Sequence, residues 1–324
     1  MPHWPVSSGG SGGTAPIAAR PGDAGLRSWW GRRQGGAPLR PVGRRPAPAS
    51  AGLSPVRRPR GGASAWPHPH QGCFSLRTNL QSARIEMSGK DSTYVLIPGA
   101  WHGGWSWRPV AERLRAAGHH AICLTLPGLG DGDDPTGLGL KDAVDHVVSE
   151  VERLGLTDVT LVGHSWGGYP LAGAAHRLPG RVSKVVHYAA QVPVRGRSMV
   201  DDNPPEAAAM LRGLIDASPT RAIPPTLQFV QGIFMQDVDE GTQRLVADLL
   251  TPQPGDYFLD ALDVPNVSEL GIPALYILGE DDRALPRSGA EFAARLGLEP
   301  VMVPGTHEGM LTHPDEVAKA ILNF

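Results

Sequence analysis

The sequence predicts an α/β domain built on a mostly parallel sheet flanked by helices, and three observations predict it. Short β-branched runs alternate with helix-length amphipathic stretches from about residue 93 onward, which is the βαβ order of a parallel sheet. Two glycine-rich turns follow strand-like runs directly, one at 98–104 after 94–97 and one at 163–168 after 159–162. A long proline-broken stretch, 191 to about 268, interrupts the alternation before it resumes. The expected architecture is a sheet with a helical cap inserted after its sixth strand, preceded by a disordered N-terminal segment. The domain itself is expected over 87–324, with the cap at about 191–268.

The elements follow in order. Tyr94-Val95-Leu96-Ile97 is a strand, and 121–126 a second. A helix at 140–154, a strand at 159–162, a helix at 169–178 and a strand at 182–188 continue the alternation. Within the interruption, 205–215 and 242–250 have helical spacing. Ala274-Leu275-Tyr276-Ile277-Leu278 is a short apolar run, a candidate parallel strand. The run 300–303 reads as the last strand, and Pro314 starts a final helix over 314–324 at its first turn.

Chemistry concentrates at the turn Gly163-His164-Ser165-Trp166-Gly167-Gly168. A Gly-x-Ser-x-Gly pattern between a strand and a helix places the serine on a sharp, strained turn above the sheet edge. The flanking glycines allow strand and helix to approach, and the helix N-terminus aims its N–H groups at the same spot. Ser165 is therefore the candidate nucleophile.

Its partners should follow in the order acid, then histidine. The strand 274–278 ends in Gly279-Glu280-Asp281-Asp282. Three acids compete there; Asp282 is preferred over Asp281 because it lies far enough past the strand end to turn inward. The loop Pro304-Gly305-Thr306-His307-Glu308-Gly309 supplies His307 in the slot where a general base reaches the serine. His313 and His164 are read as structural. The loop Pro98-Gly99-Ala100-Trp101-His102-Gly103-Gly104-Trp105 faces the same point. Main-chain N–H groups of Ala100 and Trp166 are the candidate oxyanion donors. Met199, Phe229, Phe234 and Met235 are candidates for the underside of the cap, an apolar lining for an acyl or aromatic group.

The run 97–107, the serine turn, Gly279 to Asp282 and His307 together resemble the α/β-hydrolase family. More narrowly they are similar to the branch holding plant methyl-ester esterases, hydroxynitrile lyases and small bacterial esterases. The resemblance extends from about Thr93 to the C-terminus and includes a cap-like stretch from Phe234 to Pro254. It implies a Ser165–His307–Asp282 triad, a carboxylesterase acting on a small apolar or aromatic ester through an acyl-enzyme, and no cofactor. The family often has His-Gly where this chain has Pro98-Gly99, so a side chain that braces the oxyanion loop is absent. The lyases of this branch place threonine at the position of Gly99 and lysine at that of Glu308. A glutamate there repels a leaving anion, and Gly99 leaves room for an acyl group, so both favour ester hydrolysis. Gly99 and Trp101 join the candidate substrate contacts on the same grounds. Other chemistries on this fold (a lyase, a cofactor-free oxygenase, a biosynthetic cyclase) and a ligand receptor with negligible turnover remain the alternative classes.

Charge divides the chain. Residues 1–86 carry 12 arginines, no lysine and only Asp23 and Glu86 as acids, a net of +10, while the remainder holds 18 basic and 30 acidic residues, a net of −12. The leader is rich in Gly, Pro, Ser and Ala, with no apolar period able to bury a core, and is expected to be disordered. It has no secretory h-region. A start at Met87 would give a full hydrolase without it. The expected location is cytoplasmic, or an organelle if the arginine-rich leader is a transit peptide. A nucleic-acid partner is not expected, since such charge commonly belongs to a solvated tail. Cys73 and Cys123 are the two cysteines and make no disulfide framework. There is no apolar run long enough for a membrane span, no dinucleotide or phosphate loop, and no histidine spacing that makes a metal site. Nothing in the pattern sets an oligomeric state.

Overall fold

The protein is described by a computed structural model over residues 91–324. The readings placed on 1–86, a disordered leader and a start at Met87 among them, lie outside the described residues. Six strands form one sheet: β1 (Thr93–Ile97), β2 (His120–Cys123), β3 (Val159–His164), β4 (Val182–Tyr188), β5 (Ala274–Gly279) and β6 (Val301–Val303). Every neighbouring pair is parallel, in the spatial order β2-β1-β3-β4-β5-β6.

Successive side chains on a strand point to opposite faces, and both faces of this sheet are covered. On one face Tyr94, Leu96, Val162, Val186 and Ile277 pack on helices α1 (Arg108–Ala116) and, at the chain's end, Pro314–Leu322. On the other, Val95, Ile97, Leu161, Val185 and Tyr276 pack with α2 (Leu140–Arg153) and α3 (Gly168–Arg177). This two-sided burial explains why the strands read as continuous apolar runs rather than as alternating ones.

Between β4 and β5 the chain leaves the sheet. This inserted segment carries α4 (Pro205–Ala217), a π-helical turn Val230–Phe234, and α5 (Glu240–Leu249). Ala222–Ile223 pairs antiparallel with Gln253–Pro254 across it. Its own apolar cluster, Val230, Ile233, Phe234, Met235, Val246 and Leu250, rests on Trp101 and Trp105 of the loop after β1. The segment enters after the fourth of the six described strands rather than after a sixth, since the described chain before it supplies only β1 to β4. Strand β2 also stops at Cys123, short of the expected 126, where Gly104 N–H crosses to Thr125 Oγ1 at 2.9 Å. After β5 come α6 (Gly289–Ala294) and, at the chain's end, α7 (Pro314–Leu322), and short helical turns such as Met199–Asp202, Asp256–Leu259 and Gly309–Thr312 lie between the longer elements.

The parallel register brings the carboxyl ends of β1, β3, β4, β5 and β6 to one edge, with Ile97 opposite Gly163 and His164 opposite Tyr188. Loops leaving that edge form the crevice where open α/β sheets hold ligands.

Candidate active site

Ser165 follows β3 directly and has φ = 51°, a left-handed conformation rare outside glycine. The glycines around it make the crowding tolerable. A Cβ on Gly163 would lie 2.9 Å from Gly167 O, and one on Gly167 would lie 2.6 Å from Pro98 O. At Gly168 a Cβ would collide with Gln191 O. Three chain segments thus converge where only hydrogen fits. Gln191 N–H donates to Ser165 O at 2.9 Å and fixes the turn from the β4 side. The N–H of Trp166 opens the following helical turn and belongs to the unpaired donors of a helix start.

His307 and Asp282 meet on the neighbouring loops. Nδ1 of His307 lies 2.8 Å from Asp282 Oδ2, with the two side chains 1% and 2% exposed. The other carboxylate oxygen, Oδ1, accepts Ala284 N–H at 2.8 Å. Glu280 and Asp281 are exposed at the surface, so Asp282 is the acid that reaches the imidazole. Burial pulls the His307 imidazolium down; the Asp282 charge and hydrogen bond, with Glu308 adding, outweigh it and hold His307 above its ordinary value. Among the described residues His307 Nε2 is buried and without a hydrogen-bond partner. An imidazole held at Nδ1 by a carboxylate, with Nε2 bare, has the form a general base needs.

His164 is fully buried beneath the serine turn, where its Nε2 reaches the main-chain oxygen of His307 at 3.2 Å. Burial, then the nearby His307 and His102 charges, drive its pKa well below the ordinary value, so it packs as a neutral ring. His164, His307 and Glu308 place donor atoms within 4.8 Å of one another, the grouping among the described residues with the donor set for a cation.

The loop after β1 is held on several sides. Trp101 has φ = 66°. Its N–H donates to Gln253 Oε1 at 2.8 Å and its indole Nε1–H to Ile223 O at 2.8 Å, both on the inserted segment. His102 Nδ1 lies 2.7 Å from Ala100 O, and Trp107 Nε1–H reaches Ile97 O at 3.0 Å.

Ala100, Ser165 and Trp166 share the wall of one cavity of about 900 Å³, its open mouth included. Trp101, Met199, Phe229, Phe234 and Phe258 line it, with α4 adding Met210, Leu211 and Leu214. No charged side chain lines it among the described residues. Two expected contacts fall elsewhere. Gly99 lies beneath the serine, where a Cβ would be 2.8 Å from His164 Nδ1 and 3.0 Å from Ser165 Cβ. Its missing side chain therefore makes room for the turn rather than for an acyl group. Met235 is buried within the inserted segment, because the wide turn before it closes with Met235 N–H on Val230 O at 2.8 Å and directs the side chain inward.

Several residues at the site went unassigned from sequence: Gln253, His102 in its contact with Ala100, and Tyr257, whose ring stacks on Trp166 at 4.9 Å. Gln253 and Tyr257 act on residues 152 and 91 positions away, which no local motif links, and the His102 contact depends on the backbone of its own turn.

The sequence profile of the alpha/beta hydrolase family matches residues 94–320. The chain belongs to the alpha/beta hydrolase family. A carbendazim-hydrolysing esterase of Nocardioides sp. (strain SG-4G) is 37% identical over 128 residues, 38% of this chain and 53% of that protein, so the match spans about half of that relative. Methylesterase 18 of Arabidopsis thaliana is 28% identical over 203 residues, 57% of this chain and 77% of that one. Among solved structures, an extracellular alpha/beta-hydrolase from a Paenibacillus species superposes with a TM-score of 0.67 at 24% identity, covering 72% of this chain and 98% of that chain. That enzyme is described as sharing structural and functional homology with tobacco salicylic acid binding protein 2; at such identity the likeness to this hydrolase is one of fold. Among the described residues no helix is long and apolar enough to cross a membrane.

Proposed function

We propose that this hydrolase is a serine carboxylesterase that cleaves a small ester with a neutral apolar or aromatic acyl group. The observation that carries the reading is the buried 2.8 Å contact of His307 Nδ1 with Asp282, which leaves Nε2 bare on the loop docked to the Ser165 turn. Curated relatives that are esterases and a methylesterase support the reaction class.

In this mechanism His307 Nε2 takes the Ser165 proton as Oγ attacks the ester carbonyl carbon. The carbonyl oxygen becomes an oxyanion that receives the Ala100 and Trp166 N–H groups, each a preorganised donor worth roughly 3 kcal/mol of barrier. The intermediate collapses, the C–O bond breaks, and the imidazolium protonates the leaving alcohol. Water, deprotonated by the same imidazole, then attacks the acyl-enzyme and releases the acid. Asp282 keeps Nδ1 protonated and stabilises the imidazolium without itself taking the proton.

The inserted segment acts as a cap over the serine. The cavity's lining is aromatic and aliphatic, with Gln191, Asn203 and Thr226 as the polar side chains that share its wall with Ser165. Asn203 already donates to Met199 O at 2.8 Å. An uncharged acyl group is matched by this wall, whereas the carboxylate product finds no cation there and leaves.

The test is intact-mass spectrometry of the full chain after a fluorophosphonate probe, with Ser165→Ala alongside. One adduct on the wild type and none on the variant is the expected outcome. An unmodified, folded wild type would reject the activated serine.

A further inference from the structure

None of these steps uses His102 or Glu308, yet both side chains are almost fully buried, at 1% and 0% exposure. Glu308 follows His307 on the loop after β6, and His102 stands two residues after Ala100 on the loop after β1. Their side chains meet with Nε2 to Oε1 at 3.3 Å. Neither Glu308 oxygen has a hydrogen-bond partner among the described residues. His102 Nε2 is likewise without one, so these buried polar atoms have only each other to face, across 3.3 Å.

The other face of the His102 ring settles its second nitrogen. Nδ1 lies 2.7 Å from Ala100 O, a carbonyl that can only accept, so Nδ1 carries a hydrogen. The main chain of the same residue acts on the preceding peptide, with His102 N–H reaching Gly99 O at 3.3 Å. That peptide plane also carries the Ala100 N–H. In a trans peptide the C=O and N–H point opposite ways, so holding Gly99 O on the His102 side turns the Ala100 N–H toward the cavity. The next plane is held at both ends, with Ala100 O on His102 and Trp101 N–H on Gln253 Oε1 at 2.8 Å. A turn with Trp101 at φ = 66° is the kind of backbone that flips unless something fixes it.

We propose that His102 and Glu308 are positioning residues, a buried strut that holds the Ala100 oxyanion donor at a fixed place relative to the general base His307. The inference rests on the esterase reading above. It also supplies the brace that the loop lacks where family members have His-Gly and this chain has Pro98-Gly99.

The experiment measures kcat and KM for p-nitrophenyl acetate, with thermal unfolding, on the full-length wild type and two paired variants. His102→Phe with Glu308→Leu removes the strut without leaving a buried charge. It is expected to lower kcat by roughly 10- to 100-fold with KM within about threefold, since an oxyanion donor acts on the transition state. His102→Asn with Glu308→Gln keeps a neutral hydrogen-bonding pair between the two loops and an N–H donor near Ala100 O, and kcat is expected to recover to within about threefold of the wild type. Unchanged kcat in the apolar pair, or equal loss in both pairs, overturns the proposal. Should the apolar pair fail to fold, the ¹⁵N-histidine spectrum of the wild type decides. A protonated Nδ1 on His102, assigned by its loss in His102→Asn, supports the strut, and a bare Nδ1 overturns it. Ser165→Ala run alongside separates the two levels: full turnover there sinks the esterase reading, while its loss with full turnover in the apolar pair sinks the strut alone.

Discussion

His164 Nε2 lies 3.2 Å from the main-chain oxygen of His307, so the residue before the serine is tied to the residue that would deprotonate it. A carbonyl only accepts, so the bond requires the Nε2–H tautomer of His164. Full burial keeps that ring neutral. The contact spans 143 residues of sequence and joins the end of β3 to the loop after β6. His164→Phe keeps the bulk of the ring but leaves a buried carbonyl unpaired. Denaturant unfolding should report a loss of about 1–3 kcal/mol; a variant as stable as the wild type would remove the contact from the list of supports.

Replacing Ser165 by alanine tests the proposed nucleophile. Alanine tolerates the turn about as well as serine, since both carry a Cβ at φ = 51°. The expected result is a kcat lower by roughly 10⁴-fold or more with an unchanged unfolding midpoint. Turnover near the wild-type level would reject the assignment.

The acid is tested by a pair of isosteric changes. Asp282→Asn places an amide against His307 Nδ1, where its N–H favours the wrong tautomer, and kcat should fall by about 10⁴-fold. Asp281→Asn changes an exposed side chain whose main-chain N–H bonds Gly305 O at 3.0 Å in either case. Its kcat should stay within about threefold of the wild type. Equal losses in the two variants would contradict the geometry that singles out Asp282.

The parts of this site legible in the sequence are those whose signal is local. Gly163, Gly167 and Gly168 announce the crowded turn because each removes a Cβ that the fold has no room for. Val182–Tyr188 is a strand with the bounds its β-branched run suggests. Asp282 and His307 were legible because loops after late parallel strands come to one sheet edge. The rest depends on register and on side-chain direction. Trp101 is held by Gln253 from 152 residues away, and no period joins the two. Met235 looks like a lining residue until the π turn ahead of it turns it inward. Gly99 looks like space for substrate, yet the space belongs to Ser165 and His164.

The last prediction concerns pH, where stability and activity should move in opposite directions. Burial alone lowers His307; Asp282, by charge and hydrogen bond, and Glu308 raise it further than burial lowers it, so its folded pKa lies above the ordinary value near 6.5. A group raised on folding binds its proton more tightly in the native state. The stability it contributes is fully present below the unfolded value near 6.5, and is lost as pH rises through the folded value. Catalysis needs the other form, because a protonated imidazole cannot accept the Ser165 proton. The acid limb of kcat/KM, which reports the free enzyme, should therefore have its midpoint above about 6.5. Across the window where kcat/KM climbs, the unfolding midpoint of the wild type should fall relative to that of Asp282→Asn, which lacks the carboxylate that raises His307. Urea unfolding of both proteins and initial rates of the wild type, taken from about pH 5.5 to 8.5, check the two slopes together. A limb centred below about 6.5, or a stability difference that grows with pH, would mean that burial rather than Asp282 governs the His307 proton.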